Sequence, residues 1–241
     1  MIKIGISGIL GKMGKRILDL AKQDSNLQVV FGLEKEDCSD LAKSIEGVKV
    51  EKDAKVIKSC DCLIEFTSPQ ATMEHLSYLK EFKKPAVIGT TGLNNEQQDE
   101  IKQASKSIPI VFSPNMSIGV NLLFELIKTA SRILKGYDVS VEEVHHIHKK
   151  DSPSGTAKKI AQIINDEGFG LMTSDIKAQR VDEVVGDHKV IFTSTVDRLE
   201  LSHSAKTRDI FAEGALRACK WLVSTGSPSG LYSMEEVLGL K

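Results

Sequence analysis

Residues 142–157 read Glu-Glu-Val-His-His-Ile-His-Lys-Lys-Asp-Ser-Pro-Ser-Gly-Thr-Ala and hold three of the six histidines in the 241-residue chain. Histidine donates a proton near neutrality, and lysine is a point charge for a carboxylate or, if burial lowers its pKa, a proton donor. Side chains of a strand alternate between faces. If the strand persists through 149, His145 and Lys149 share one face and His146 and His148 the other. Ser154-Gly155-Thr156 reads as the start of a helix. There, free backbone N–H groups and a glycine suit a carboxylate or phosphate. Three duller accounts stay open. His-His-x-His would also suit a metal, although no second cluster of Cys, Asp or Glu is apparent. The histidines would equally suit a solvated strand, and Ser-Gly-Thr a plain helix cap.

A second motif supplies a place for a dinucleotide. Ile2, Ile4 and Ile6 alternate as a strand and run into Gly8-Ile9-Leu10-Gly11-Lys12-Met13-Gly14. Met13, Ile17, Leu20 and Ala21 follow at helical spacing, then a strand at 27–33 ending in Glu34-Lys35. Strand, glycine turn, helix, strand and acid make up the dinucleotide-binding βαβ unit. The glycines are spaced G-x-x-G-x-x-G, but the needs are unchanged: a tight turn, close backbone approach and a free helix N-terminus.

The alternation continues. Strands are predicted at 62–66, 85–88 and 108–112, with helices at 71–82 and 95–106 between them. Such a pattern implies a parallel sheet with right-handed crossovers, and ligands bind beyond the carboxyl ends of its strands. Those ends carry Phe66-Thr67, Gly89-Thr90-Thr91 and Ser113-Pro114-Asn115-Met116. From Ile118 the pattern changes to a long helix (120–134), a strand (138–146), a helix (156–167) and strands at 176–181, 189–196 and 199–204. A helix over 210–222 and a short one at 234–238 are expected to pack back onto the first domain. The fold class is therefore α/β: a Rossmann-type parallel sheet with an inserted α+β domain, split as 1–116 with 209–241, and 117–208.

Composition narrows the partners. Net charge is −1 and aromatics are 5%, which excludes nucleic acid and membrane surface as bulk-charge partners and a base-stacking surface. No apolar run reaches the roughly 18 residues of a membrane span, and the N-terminus reads as a strand, not a secretory signal. The four cysteines (Cys38, Cys60, Cys62 and Cys219) lack zinc spacing and read as reduced thiols of a cytoplasmic protein.

The glycine turn, Phe66-Thr67, Gly89-Thr90-Thr91-Gly92, Asn115 to Asn121 and the run from His145 to Ala157 together resemble the dihydrodipicolinate reductase family, in order and over nearly the whole length. The resemblance implies hydride transfer from NADH or NADPH to a small cyclic dicarboxylate of the diaminopimelate/lysine pathway. Under it, His145 is the proton donor, Lys149 the catalytic lysine, and His146, Gly155 and Thr156 are substrate-carboxylate contacts. Cofactor contacts are Gly8, Ile9, Leu10, Gly11, Lys12, Met13, Glu34, Lys35, Gly89, Thr90, Thr91, Ser113, Pro114, Asn115 and Met116; no metal is implied. Glu34 favours the ribose hydroxyls of NADH, and Lys35 tolerates the phosphate of NADPH. A homotetramer built on the inserted domain's sheet is implied too. Three positions depart from the family pattern. Ile147 stands where Arg is frequent, Ser152 replaces Ala, and the segment before Arg180 is short. Another two-domain NAD(P)-dependent dehydrogenase and a non-catalytic dinucleotide sensor are the competing readings.

Overall fold

A computed structural model describes residues 1–35 and 44–241, so Cys38 lies outside the described residues. The chain forms two compact units, Met1–Ile118 with Phe211–Lys241, and Gly119–Ile210.

In the first unit β1 (Ile2–Ser7), α1 (Lys12–Ala21) and β2 (Leu27–Leu33) form the opening βαβ. Two short strands, β3 (Ser44–Ile45) and β4 (Val48–Glu51), follow. A 3-10 turn at Ala54–Ser59 leads to β5 (Cys62–Glu65), α2 (Pro69–Phe82), β6 (Ala86–Ile88), α3 (Asn95–Ser105) and β7 (Pro109–Phe112). The second unit holds α4 (Ile118–Ile133), β8 (Asp138–His145), α5 (Gly155–Asp166), β9 (Lys177–Arg180), β10 (Gly186–Thr193) and β11 (Arg198–Ala205). The chain then returns with α6 (Asp209–Ser224), β12 (Gly230–Tyr232) and α7 (Met234–Leu238).

The first sheet has the order β12-β7-β6-β5-β1-β2-β4-β3 and is parallel except for the β3–β4 pair. Its central strands are buried on both faces, and strand parity sorts the core. Ile4, Ile6, Cys62 and Ile64 pack with Ile17 and Leu18 of α1 and Ala215 and Leu222 of α6. Phe31, Leu63 and Ile110 pack on the other face with Leu76 and Leu79 of α2 and Ile101 of α3. The helix starts are written locally. Ser68 caps α2 with Pro69 at the first turn, and Asn94 and Gln97 form a reciprocal capping box on α3.

Three short strands escape the sequence reading. β3 and β4 are too brief for a period-2 signal, and β12 sits in a Gly-Ser-Pro-rich stretch that reads as loop. The other predicted elements are present, with ends shifted by a few residues.

Below the strand ends lies a buried polar knot. Glu65, fully buried at the end of β5, faces His75 of α2, with Nδ1 2.8 Å from Oε2. The Ser7 hydroxyl lies 3.2 Å from the same nitrogen, and the Thr67 hydroxyl donates to the other Glu65 oxygen. Thr72 donates to the Thr90 hydroxyl at 2.9 Å, which in turn accepts from Thr67 N–H at 3.2 Å. The knot thus fastens the Thr67 and Thr90 turns to the residue that precedes Gly8. Burial alone would hold the His75 imidazole down, but the hydrogen bond and charge of Glu65 outweigh it and raise its pKa.

Two predictions follow from this packing. A Cβ at Gly14 would stand 2.1 Å from Gly8 O and 2.5 Å from Ile9 Cα, so Gly14→Ala should push α1 off the turn. A loss of about 1–3 kcal/mol in thermal unfolding and loss of NADH binding are expected. Because the folded pKa of His75 is raised, its pair with Glu65 stabilises fully below about pH 6.5 and fades as pH rises through the folded value. His75→Ala should therefore cost about 3 kcal/mol in urea melts at acidic pH, and less at alkaline pH. A deficit independent of pH would refute the charged pair.

Candidate functional site

The second unit's sheet runs β11-β10-β8-β9, with β8–β9 parallel and the other pairs antiparallel. β8, α5 and β9 form a βαβ crossover, so the N-terminus of α5 lies beyond the end of β8. Residues Val141, Glu143 and His145 of β8 share one face. Val141 pairs with Val190, and with Phe192 lies buried against Val120, Leu123 and Ile127 of α4 and Ile160 and Ile164 of α5. At the end of β8 this apolar face becomes polar. His188 of β10 stands opposite Glu143, and Arg180 of β9 opposite His145.

Glu143 is buried, with its Oε1 accepting Ser154 N–H at 3.0 Å and both Arg180 terminal nitrogens at 3.3 Å. Burial pushes this carboxyl up, but Ser154, His145 and Arg180 outweigh it and hold the pKa below the usual value. His145 Nδ1 lies 3.5 Å from Glu143 Oε2, and His188 Nε2 3.8 Å from it. The two imidazoles meet edge to face at 5.1 Å. Burial lowers the pKa of His145; Glu143 opposes this, while Lys149 and Arg180 add to it. Burial and His145 bring His188 down to about 4.

The expected facing of His145 and Lys149 along one strand does not occur. β8 stops at His145, residues 147–148 turn, and Lys149 N–H donates to His146 O at 3.1 Å. The turn, not strand periodicity, brings Lys149 back to act electrostatically on His145. His148 is exposed near Glu183, and Ile147 is 59% exposed with its N–H bonded to Asp182 O. The His146 ring lies 6.2 Å from that of His148.

Ser154 is a true cap of α5, its hydroxyl accepting Ala157 N–H at 3.1 Å. The Asp151 carboxylate pairs with Lys149 Nζ at 2.8 Å, and the Gly155 backbone at the start of α5 adds to the field that favours its charge. Lys149 first, and Gly155 with it, hold Asp151 below the usual carboxylate range. Lysine and helix N-terminus therefore do converge on a carboxylate, supplied here by the chain itself.

Glu143, His145 and His188 also place three donor atoms within 4.8 Å of one another, a spacing that fits a metal ion. The three clustered residues of the sequence, His145, His146 and His148, are not the ones that form it. Arg180 already shares the Glu143 carboxylate and would repel a divalent ion.

In the first unit, Gly8 has φ +78°, and Gly14 approaches Gly8 O where only a hydrogen fits. Gly11 precedes α1 with no side-chain cap, which leaves the first N–H groups of the helix outward. Glu34 reaches the turn and accepts Leu10 N–H at 2.7 Å; Lys35 is exposed. Gly89 lies against the Phe66 ring, which a Cβ would enter. Ser113 donates to Asn115 O at 2.8 Å, and Asn115 accepts Ser117 N–H at 2.9 Å. A bare turn, an open helix N-terminus and an acid at the next strand end fit a dinucleotide.

Glu143, Arg180, His188 and Asp151 were missed as site residues. Glu143 was findable, because it lies two residues before His145 on one strand. Arg180 and His188 needed the strand order, which no local pattern reports.

Residues 2–116 match the family profile described as dihydrodipicolinate reductase, N-terminus, and residues 119–238 the C-terminus profile. The 4-hydroxy-tetrahydrodipicolinate reductase of Syntrophus aciditrophicus (strain SB) is 39% identical over 269 aligned positions covering 100% of both chains. That of Aquifex aeolicus (strain VF5) is 40% identical over 265 positions and 99% of each. The alignment, longer than the 241-residue chain, places gaps in it. The dipicolinate-bound dihydrodipicolinate reductase from Paenisporosarcina sp. TG-14 shares the fold, with TM-score 0.84 at 24% identity over 98% of each chain. The chain belongs to the dihydrodipicolinate reductase family.

Proposed function

We infer that the chain is an NAD(P)H-dependent 4-hydroxy-tetrahydrodipicolinate reductase that yields tetrahydrodipicolinate in the diaminopimelate/lysine pathway. Full-length identity of 39–40% with reductases of that name supports the activity. The observation that carries the site is the Asp151 carboxylate held by Lys149 and the start of α5. A substrate carboxylate would take the same two partners.

The bound cofactor supplies hydride. The turn from Gly8 to Met13 and the open end of α1 hold its pyrophosphate. Glu34 would accept from the adenosine ribose, and Lys35 would tolerate a 2′-phosphate, so NADH or NADPH would serve. Gly89, Thr90, Thr91, Ser113, Pro114, Asn115 and Met116 line the remaining strand ends. Lys149, Gly155 and Thr156, with His146, hold the ring dicarboxylate in one orientation. His145 gives a proton to the atom left anionic by hydride addition. Substrate carboxylates near His145 would add negative charge and raise its lowered pKa, favouring the donor form where it is needed.

The first unit is the dinucleotide domain and the second the substrate and oligomerisation domain, its four-stranded sheet joining a homotetramer. Three buried free thiols, Cys60, Cys62 and Cys219, support a reducing, cytoplasmic setting. Among the described residues no helix is long and apolar enough to cross a membrane.

Aspartate semialdehyde and pyruvate, with the synthase that condenses them, should make the protein consume NADH; folded protein without turnover would end the reductase reading. Lys149→Ala should lose most of kcat, roughly a hundredfold or more, while calorimetry shows NADH binding intact. Asp151→Asn should free Lys149 and the α5 terminus, so that dipicolinate binds roughly tenfold more tightly, about 1.4 kcal/mol. Weaker binding would mean that Asp151 builds the site rather than fills it.

A further inference from the structure

Four residues share the polar end of the second unit's sheet. Glu143 and His145 lie two apart on β8, and Gly186 and His188 two apart on β10, with His188 opposite Glu143. Several buried atoms here have no hydrogen-bond partner, among them Glu143 Oε2, His145 Nδ1, His188 Nδ1 and Arg180 Nε, and of these Glu143 Oε2 and His145 Nδ1 face each other at 3.5 Å. That gap is slightly long for a hydrogen bond, as catalytic contacts often are before the reacting complex tightens them. The other imidazole nitrogen, Nε2, points at Gly186, where a Cβ would stand 2.9 Å from it. Glu143 itself cannot swing away, because its Oε1 is clamped by Ser154 N–H and Arg180.

We propose that Glu143 and Gly186 are the positioning residues of His145, Glu143 taking the Nδ1–H and Gly186 leaving Nε2 as the nitrogen that carries the reacting proton. The proposal rests on His145 being the proton donor. In the transfer the Nε2–H bond breaks, its electron pair stays on Nε2, and the proton passes to the substrate atom made anionic by hydride. The imidazole left behind is the Nδ1–H tautomer, which is the form Glu143 accepts from. An unpaired buried carboxylate oxygen and an unpaired buried ring nitrogen then explain each other.

The groups that face His145 are Glu143, Lys149, Arg180, Asp151 and His188. Of these, Glu143 is the first to favour its protonated form, against burial and the two cations. Replacing it by Gln removes that charge and turns an amide N–H towards Nδ1. The tautomer should flip to Nε2–H, and the protonated fraction at a given pH should fall.

Long-range proton–nitrogen correlation spectra of the full-length protein read the tautomer directly, with His145 assigned by its absence in His145→Gln. Wild type should show Nδ1–H, Glu143→Gln should show Nε2–H, and Glu143→Asp should restore Nδ1–H. In turnover, Glu143→Gln should move the alkaline decline of kcat/KM about one pH unit or more to lower pH. Gly186→Ala should lower kcat at least tenfold with the KM for NADH unchanged. An unchanged tautomer and pH profile in Glu143→Gln overturn the proposal. Should that variant fail to fold, Nε2–H in wild type or in Glu143→Asp overturns it, as does full activity of Gly186→Ala. Wild-type turnover by His145→Gln would instead sink His145 as donor, a failure separable from these because the tautomer is read without turnover.

Discussion

One buried carboxylate organises the second unit. An isolated ionised Glu143 in the interior would be prohibitively costly, so its partners are not optional. Ser154 N–H and Arg180 meet one oxygen, which ties the start of α5 and the edge strand β9 to the end of β8. The location of Gly155 and Thr156 relative to His145 is thus a consequence of satisfying a charge. Helix, turn and strand cannot drift apart without exposing or orphaning that carboxylate.

The first unit answers the same need with the same pair of residue types and an opposite outcome. Glu65 at the end of β5 meets His75 as Glu143 at the end of β8 meets His145. Yet His75 is raised and His145 lowered. Burial depresses both, so the difference lies in the company. Around His75 the charges that matter are Glu65 and Glu74, whereas Lys149 and Arg180 stand against Glu143 beside His145. The first arrangement favours a standing ion pair that fastens turns. The second keeps an imidazole close to losing its proton, which suits transfer over structure.

Much of this was legible in the sequence because it is local. Alternating isoleucines and the three glycines each act within a turn or a strand, and they delimit β1 and α1; the caps Ser68 with Pro69 and Asn94 with Gln97 are equally local, but the structure supplied them. The dinucleotide turn and the helix start at Ser154 are local in the same sense. What failed was extrapolation of a strand past its end: period 2 relates His145 to Glu143 behind it, not to Lys149 ahead. Arg180 and His188 were out of reach for another reason. Each enters the site through pairing with β8 across 35 or more residues, and register is a property of the sheet, not of either strand alone.

That register explains why Glu143 does not depend on a cation at position 147. Ile147 is largely exposed to solvent, and its N–H donates to Asp182 O. A side chain there belongs to the outer side of the turn. The guanidinium that meets Glu143 comes instead from β9, and it arrives because Arg180 pairs with His145 in a parallel ladder. A slip of one residue would send Arg180 to the opposite face and take the guanidinium away from Glu143. The short connection from α5 to β9 therefore has to deliver the strand in one register.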